Sequence, residues 1–513
     1  MLILRASVAN GFFKVDLMPV SPHIPWLTLL IALPLAGTLL CLVFRRSPAA
    51  CRWLTLASTL AVLIIAVRLF VQGPGAGGWY GFEDAPWIER FGARWTLAMD
   101  GISLLMVVLT GFLQVIVTLI SWHQKKHAAL FFCLLLLLEA GILGVFLASD
   151  LVLFYLFWEM MLIPMFFLIG VWGHGPRVYA AVKFFLFTLT GSLLMLLAML
   201  GLYLLHGRQT GDYSFALEAL KQTRLGPWEP WLYAGFMLAF LVKLPVVPLH
   251  TWLPDAHTVA PTAGSLDLAG LLLKTGAFGI LRFAFPLFPG AARASLPLLA
   301  ALALIGIYYA AWIAWRQNDI KRLIAYSSVS HLGVVLLGMA VANTIALQGA
   351  ILLMVCHGIT TGALFALVSM IRRRTGTRDL DRLGGLWQET PVLAAFFLFF
   401  SLASLGLPGL ANFSGEILVF AGTFQHNPLW GALALPGVVF AAAYILRMVQ
   451  GVLWGARPPG RSWPDLSWRE LLALAPLAVV TLWLGLYPGT FLDPLREPVR
   501  LLVDGLLAQG GMP

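Results

Sequence analysis

The chain has 513 residues, of which 60% are hydrophobic and 11% charged, with a mean hydropathy of +0.88 and a formal net charge of +10. A soluble domain carries about 25% charged residues, so the composition excludes a water-soluble enzyme and describes a polytopic membrane protein. The positive charge marks topology rather than nucleic-acid binding, because the basic residues fall in alternate loops between apolar segments.

Residues 1–24 (MLILRASVANGFFKVDLMPVSPHI) lack a clean apolar core and a small-residue cleavage site. They are read as an N-terminal extension, not a signal peptide, with Met18 as an alternative start. Beyond them come 14 segments long enough to span a bilayer, which takes about 20 apolar residues. Residues 25–127 hold segments centred near 35, 61 and 110. Residues 128–290 form a first repeat, with centres near 137, 161, 191, 242 and 273, and residues 291–455 an inverted second repeat, with centres near 304, 332, 358, 405 and 441. Residues 456–513 hold a loop and a last span near 478. The alternating pattern of a membrane barrel is absent, so the expected fold is an all-α bundle whose helices satisfy their own backbone.

Two spans are interrupted. Pro245 and Pro248 break the seventh, and Gly406, Pro408 and Gly409 break the twelfth; proline inside a helix removes a hydrogen bond and clashes with the preceding turn. The two broken segments run in opposite directions, and paired broken helices in inverted repeats mark the ion sites of secondary transporters. Eighteen basic residues, including Arg45, Lys125, Arg177, Arg322, Arg372 and Arg461, lie on one side, against 11 on the other. The positive-inside rule puts both termini outside the cytoplasm.

The functional signal is a series of ionisable residues within apolar runs. Glu159, Lys243, Lys274, His331, His357 and Glu416 all lie there, although such a group costs roughly 3 kcal/mol at mid-membrane. Burial disfavours the charged form of acids and amines alike. A glutamate and a lysine on different helices therefore make a switch, charged together and neutral apart. His331 follows Ser327, Ser328 and Ser330, and His357 precedes Thr360 and Thr361; histidine relays protons between its two nitrogens near neutral pH. Glu139, at the end of a leucine run, either gates the path from Glu159 or caps a packed helix. Asp267 lies seven residues before Lys274, on roughly the same helix face. Arg68 and Arg282 lie near helix ends, where snorkelling accounts for them. Asp255, His250 and His257 follow the first break and line its mouth or stabilise the loop.

Cys41, Cys51, Cys133 and Cys356 show no metal or redox spacing and read as packing residues. No nucleotide-binding glycine motif appears. The chain itself is therefore expected to hold no metal, flavin or nicotinamide.

The stretches FYLFWEMMLIPMFFLIGVWG, KFFLFTLTGSLLMLL, VKLPVVPLHTWLPDAHTVAPTAGS, LLLKTGAFGILRF, NDIKRLIAYSSVSHLG and LPGLANFSGE resemble the antiporter-like membrane subunits of respiratory complex I, and among these the M subunit. The wider family includes Mrp-type sodium/proton antiporter subunits, membrane-bound hydrogenase subunits and ferredoxin-linked relatives of complex I. The resemblance implies a proton-translocating subunit of NADH–quinone oxidoreductase, in the cell inner membrane beside L- and N-type subunits. NADH, FMN, iron–sulfur clusters and quinone are then handled by partner subunits. It implies that Glu159 and Lys243 form the switch pair, that Lys274 is the central lysine, that His331 and His357 connect it onward, and that Glu416 is the terminal acid. The other antiporter-like subunits usually have lysine at that last position, so Glu416 favours the M subunit. Asp267 departs from the apolar residue expected there.

Overall fold

The structure is a computed structural model that describes residues 2–9, 12–19, 24–455 and 463–508. Among the described residues, twelve continuous helices are long and apolar enough to cross a membrane. They are α1 (Trp26–Val43), α2 (Pro48–Gln72), α3 (Gly101–Ile120), α4 (Ala128–Leu147), α5 (Leu151–Trp172), α6 (Arg177–Thr210), α8 (Thr262–Leu287), α9 (Pro289–Trp315), α10 (Ile320–Ala340), α11 (Thr344–Thr375), α13 (Pro428–Leu453) and α14 (Trp468–Leu486). Two broken spans complete the bundle. α7 consists of α7a (Glu229–Lys243) and α7b (Trp252–Val259), and α12 of α12a (Pro391–Leu405) and α12b (Ala411–His426).

Local sequence explains where these helices start and stop. Asp100, Asp150, Asp319 and Asn343 cap α3, α5, α10 and α11 by accepting backbone N–H groups of the first turn, which would otherwise be orphaned. Ser467 and Glu470 form a reciprocal capping box on α14.

Helices α4–α8 and α9–α13 make two sets of five, and the broken helix is the fourth of each. The interior is formed by α3, α4, α8, α10 and α11; the most apolar window of α11 is 100% buried, against 28% for α14. Helices that are apolar all round belong inside, and these inner ones carry Lys274, His331 and His357. The outer faces of α1, α2, α6, α9, α13 and α14 expose leucine, valine and tryptophan, as surfaces bathed in lipid do.

Two features were not expected from the sequence. The loop after α2 is a β-hairpin, β3 (Gly81–Ile88) paired antiparallel with β4 (Ala93–Met99); the N-terminal extension also contains an antiparallel pair, β1 (Leu2–Ala9) and β2 (Phe12–Pro19), numbered first in chain order. The rest of that extension up to residue 23 lies outside the described residues. The cysteines are also less scattered than their spacing suggests: Cys41 and Cys51 each direct their thiol at the other's carbonyl at 3.6 Å, and Cys133 bonds Thr38 O at 3.6 Å, joining α1, α2 and α4.

Candidate functional site

The first break creates the site of Lys243. Pro245 ends α7a, and the buried carbonyl of Val242 accepts from the Trp252 indole of α7b at 2.9 Å. This bond ties the two halves across the gap. Lys243 is the last residue of α7a and is buried. Its Nζ lies 5.1 Å from the Trp158 ring centroid and 5.9 Å from that of Phe184, within cation–π range. Neither Lys243 Nζ nor Glu159 Oε1 has a hydrogen-bond partner among the described residues. Their charges are close enough to interact, but the two side chains stand apart.

Gly276 links this point to the next lysine. A Cβ there would stand 2.7 Å from Phe240 O, 2.8 Å from Leu244 N and 3.1 Å from Lys243 Cβ, so only glycine lets α8 approach the end of α7a. Two residues earlier, Lys274 Nζ donates to His357 Nδ1 at 2.8 Å and to the Ala269 carbonyl. That carbonyl lies in a π-helical turn, Leu268–Leu272, a distortion often found at functional sites. A π turn also advances less per residue than an α turn. Asp267 and Lys274, too far apart in sequence for a direct pair, have separate partners: Asp267 accepts from Gln114 at 3.0 Å.

The His357 ring lies 5.8 Å from the His331 ring, centroid to centroid. His331 Nδ1 reaches Glu416 Oε1 at 3.2 Å. Glu416 is held against the second break, where Gly406 adopts a φ of +84°. Asn412 braces the same break, accepting from Thr360 at 3.1 Å and donating to Ser404 O at 3.4 Å. The far nitrogens of both histidines lack a protein partner among the described residues; buried polar groups rarely remain so.

The two repeats carry corresponding pairs. Glu159 is on the second helix of the first set and Lys243 on its broken helix. His331 is on the second helix of the other set and Glu416 on its broken helix. The first pair is open and the second closed. Because α7 and α12 run in opposite directions, Lys243 before its break and Glu416 after its break lie in the same half of the membrane.

Other expectations are placed as follows. Glu139 is fully buried on α4, and neither carboxyl oxygen has a partner among the described residues. Asp255 pairs with Lys183 at 2.7 Å. His257 is not at a mouth: it is buried, stacked on Phe365 with centroids 4.6 Å apart. Arg282 does not snorkel; it forms a 2.7 Å ion pair with Asp100, with the two side chains 12% and 15% exposed. Arg68 sits over the Trp26 ring at 4.2 Å. Sequence reasoning missed Trp158, Gln114, Asn412 and Tyr444, whose buried hydroxyl lies within reach of the Glu416 charge. Uncharged polar and aromatic residues gave no signal against the packing background.

Comparison with known proteins identifies the family. The family described as "NADH:quinone oxidoreductase/Mrp antiporter, TM" matches residues 148–441. The NADH-quinone oxidoreductase subunit M of Pseudomonas aeruginosa is 46% identical over 92% of this chain and 95% of its own length. That of Escherichia coli K12 is 44% identical over 93% and 96%. A chain of respiratory complex I from Thermus thermophilus superposes with a TM-score of 0.86 at 34% identity, covering 94% of this chain and 99% of that one. A chain of the Mrp complex from Dietzia shares the fold, with a TM-score of 0.81 at 22% identity over 93% and 97%. The chain belongs to the subunit M family of the antiporter-like membrane subunits of NADH–quinone oxidoreductase.

Proposed function

We propose that this chain moves protons across the inner membrane as part of NADH–quinone oxidoreductase, along Glu159, Lys243, Lys274, His357, His331 and Glu416. The observation that supports this best is the pair of corresponding ionisable couples, one open and one closed, with the Lys274–His357 hydrogen bond between them. In a low-dielectric interior an ion pair keeps both partners charged, and separation favours neutrality. Closing Glu159 onto Lys243 changes the field at Lys274. A proton then passes through His357 and His331 to load Glu416, or leaves it when the first pair reopens. Solvent bridges the intervals, because the unpartnered nitrogens and carboxyl oxygens need donors and acceptors that the protein does not supply. Glu139, buried on α4, is a further acid proposed to feed this path.

NADH oxidation and quinone reduction, with their FMN, iron–sulfur clusters and quinone, belong to partner subunits. L- and N-type antiporter-like subunits are the neighbours expected in the bilayer. The basic loops put both termini outside the cytoplasm. The Mrp-type antiporter reading shares the fold, but the relatives of much higher identity are oxidoreductase subunits.

Lys243→Ala in the whole complex, reconstituted into vesicles, tests the proposal. The complex is expected to assemble with a lowered proton-to-electron ratio; an unchanged ratio rules the scheme out. A purely structural spacer would also tolerate Glu159→Gln without loss of pumping.

A further inference from the structure

A cavity of about 450 Å³ opens on the basic face of the bundle, where α5 passes to α6 and α7b meets α10 and α11. Its lining includes His174, Tyr179, Asp255, Arg322, Arg372 and Arg378. The cations around it outnumber the acids. Lys183 takes Asp255 at 2.7 Å, leaving Arg322 only a 3.8 Å approach to the same carboxylate. Arg378 pairs with Asp319 at 2.9 Å. Lys321 is buried, with its Nζ on Ala260 O at 2.6 Å. Arg372 has no ion pair among the described residues. Three arginines and one carboxylate thus line the cavity. The surplus is registered by His174, in the loop between α5 and α6. Burial, and then the charges of Arg372, Lys321 and Arg378, hold its imidazole below the usual histidine range.

The cavity continues into an apolar surface. Tyr179 lines it and is 61% exposed, and Val178, Val182, Leu186, Leu193 and Leu197 extend outward-facing along α6. An anion site at the rim of a lipid-facing helix suits an amphiphile, with tyrosine at headgroup depth. Basic pockets between helices on the positive side attract anionic headgroups.

We infer that this cavity binds the phosphodiester headgroup of an anionic phospholipid, with Arg372, unpaired among the described residues, and Arg322, held only at 3.8 Å by Asp255, as its cations and the acyl chains lying along α6. Neither arginine belongs to the proposed proton path. Free phosphate shares the headgroup's chemistry, but it would leave the adjoining apolar strip without an occupant.

The test uses the intact complex, washed in detergent and assayed by mass spectrometry for phosphatidylglycerol and phosphatidylcholine retained per complex. Each lysine or arginine near the surface contributes about 1 kcal/mol to anionic-lipid binding. The double variant Arg322→Gln/Arg372→Gln should therefore hold phosphatidylglycerol about 30-fold more weakly, with phosphatidylcholine unchanged. Arg372→Gln alone breaks no ion pair among the described residues and should cost about fivefold; it keeps the test available if the double variant fails to assemble. Equal retention of phosphatidylglycerol by wild type and Arg372→Gln overturns the inference. Displacement of the lipid by inorganic phosphate at constant ionic strength would assign the cavity to the free anion instead.

Discussion

Arg282 and Asp100 are 182 positions apart in sequence and 2.7 Å apart in the fold, and their pairing shows what a single chain can and cannot reveal about its charges. The sequence identifies a charge in an apolar run; the helix that answers it emerges only when the bundle is assembled. The same holds for Lys274 with His357 and for His331 with Glu416. All four were legible as site candidates because apolar flanks make them costly, but the bonds joining them were not. Asn412 and Tyr444 were illegible altogether, since polar residues of that kind are common in packed helices. Removing one partner of a buried ion pair costs about 3–5 kcal/mol. Asp100 would keep only its cap on α3, from Ser103 N–H at 2.9 Å. Arg282→Leu should therefore lower the thermal midpoint of the complex or remove the subunit from it, as read on native gels; wild-type stability would show that Asp100 finds another partner.

At the level of elements, the helix breaks were the most legible feature. Pro245 and Pro248 cannot continue α7a, and Gly406 and Gly409 both take left-handed φ angles, +84° and +87°. What the sequence did not show is how tightly the second break holds its acid: a Cβ on Gly406 would stand 2.5 Å from Glu416 Oε2. Gly406→Ala combines that clash with a backbone cost of about 1–2 kcal/mol. It should displace Glu416 from His331 and lower the proton-to-electron ratio in reconstituted vesicles while α12 still folds. A ratio equal to wild type would mean that the geometry of the break is irrelevant to pumping. The first of the two π turns in α8, Leu268–Leu272, was hidden for a different reason. Four of its residues in LAGLL are good helix formers and only Gly270 is a poor one, so local preference did not mark the distortion. The β3–β4 hairpin was missed because a loop between long spans was read only for its charges, although the turn glycine, Gly92, has a φ of +66°.

Across the whole molecule, the number of spans, the all-α class and the subunit family were legible in composition, spacing and motif. The relation between the repeats needed the coordinates, because the corresponding pairs, Glu159–Lys243 and His331–Glu416, do not share residue types. The proposed orientation can be checked by impermeant thiol labelling, since all four native cysteines are buried. A cysteine at Lys125 should be labelled only from the cytoplasmic side and one at Glu218 only from the opposite side; the reverse pattern would invert the topology. The central claim, that these groups form one solvated path through the bundle, is tested most directly by a map of the intact complex at a resolution that reveals ordered solvent. Density for hydrogen-bonded water is expected at Lys243 Nζ, at the Nε2 atoms of His357 and His331, and between Lys243 and Lys274. A map at that resolution with no solvent at these atoms, and apolar side chains filling the space between the lysines, would contradict it.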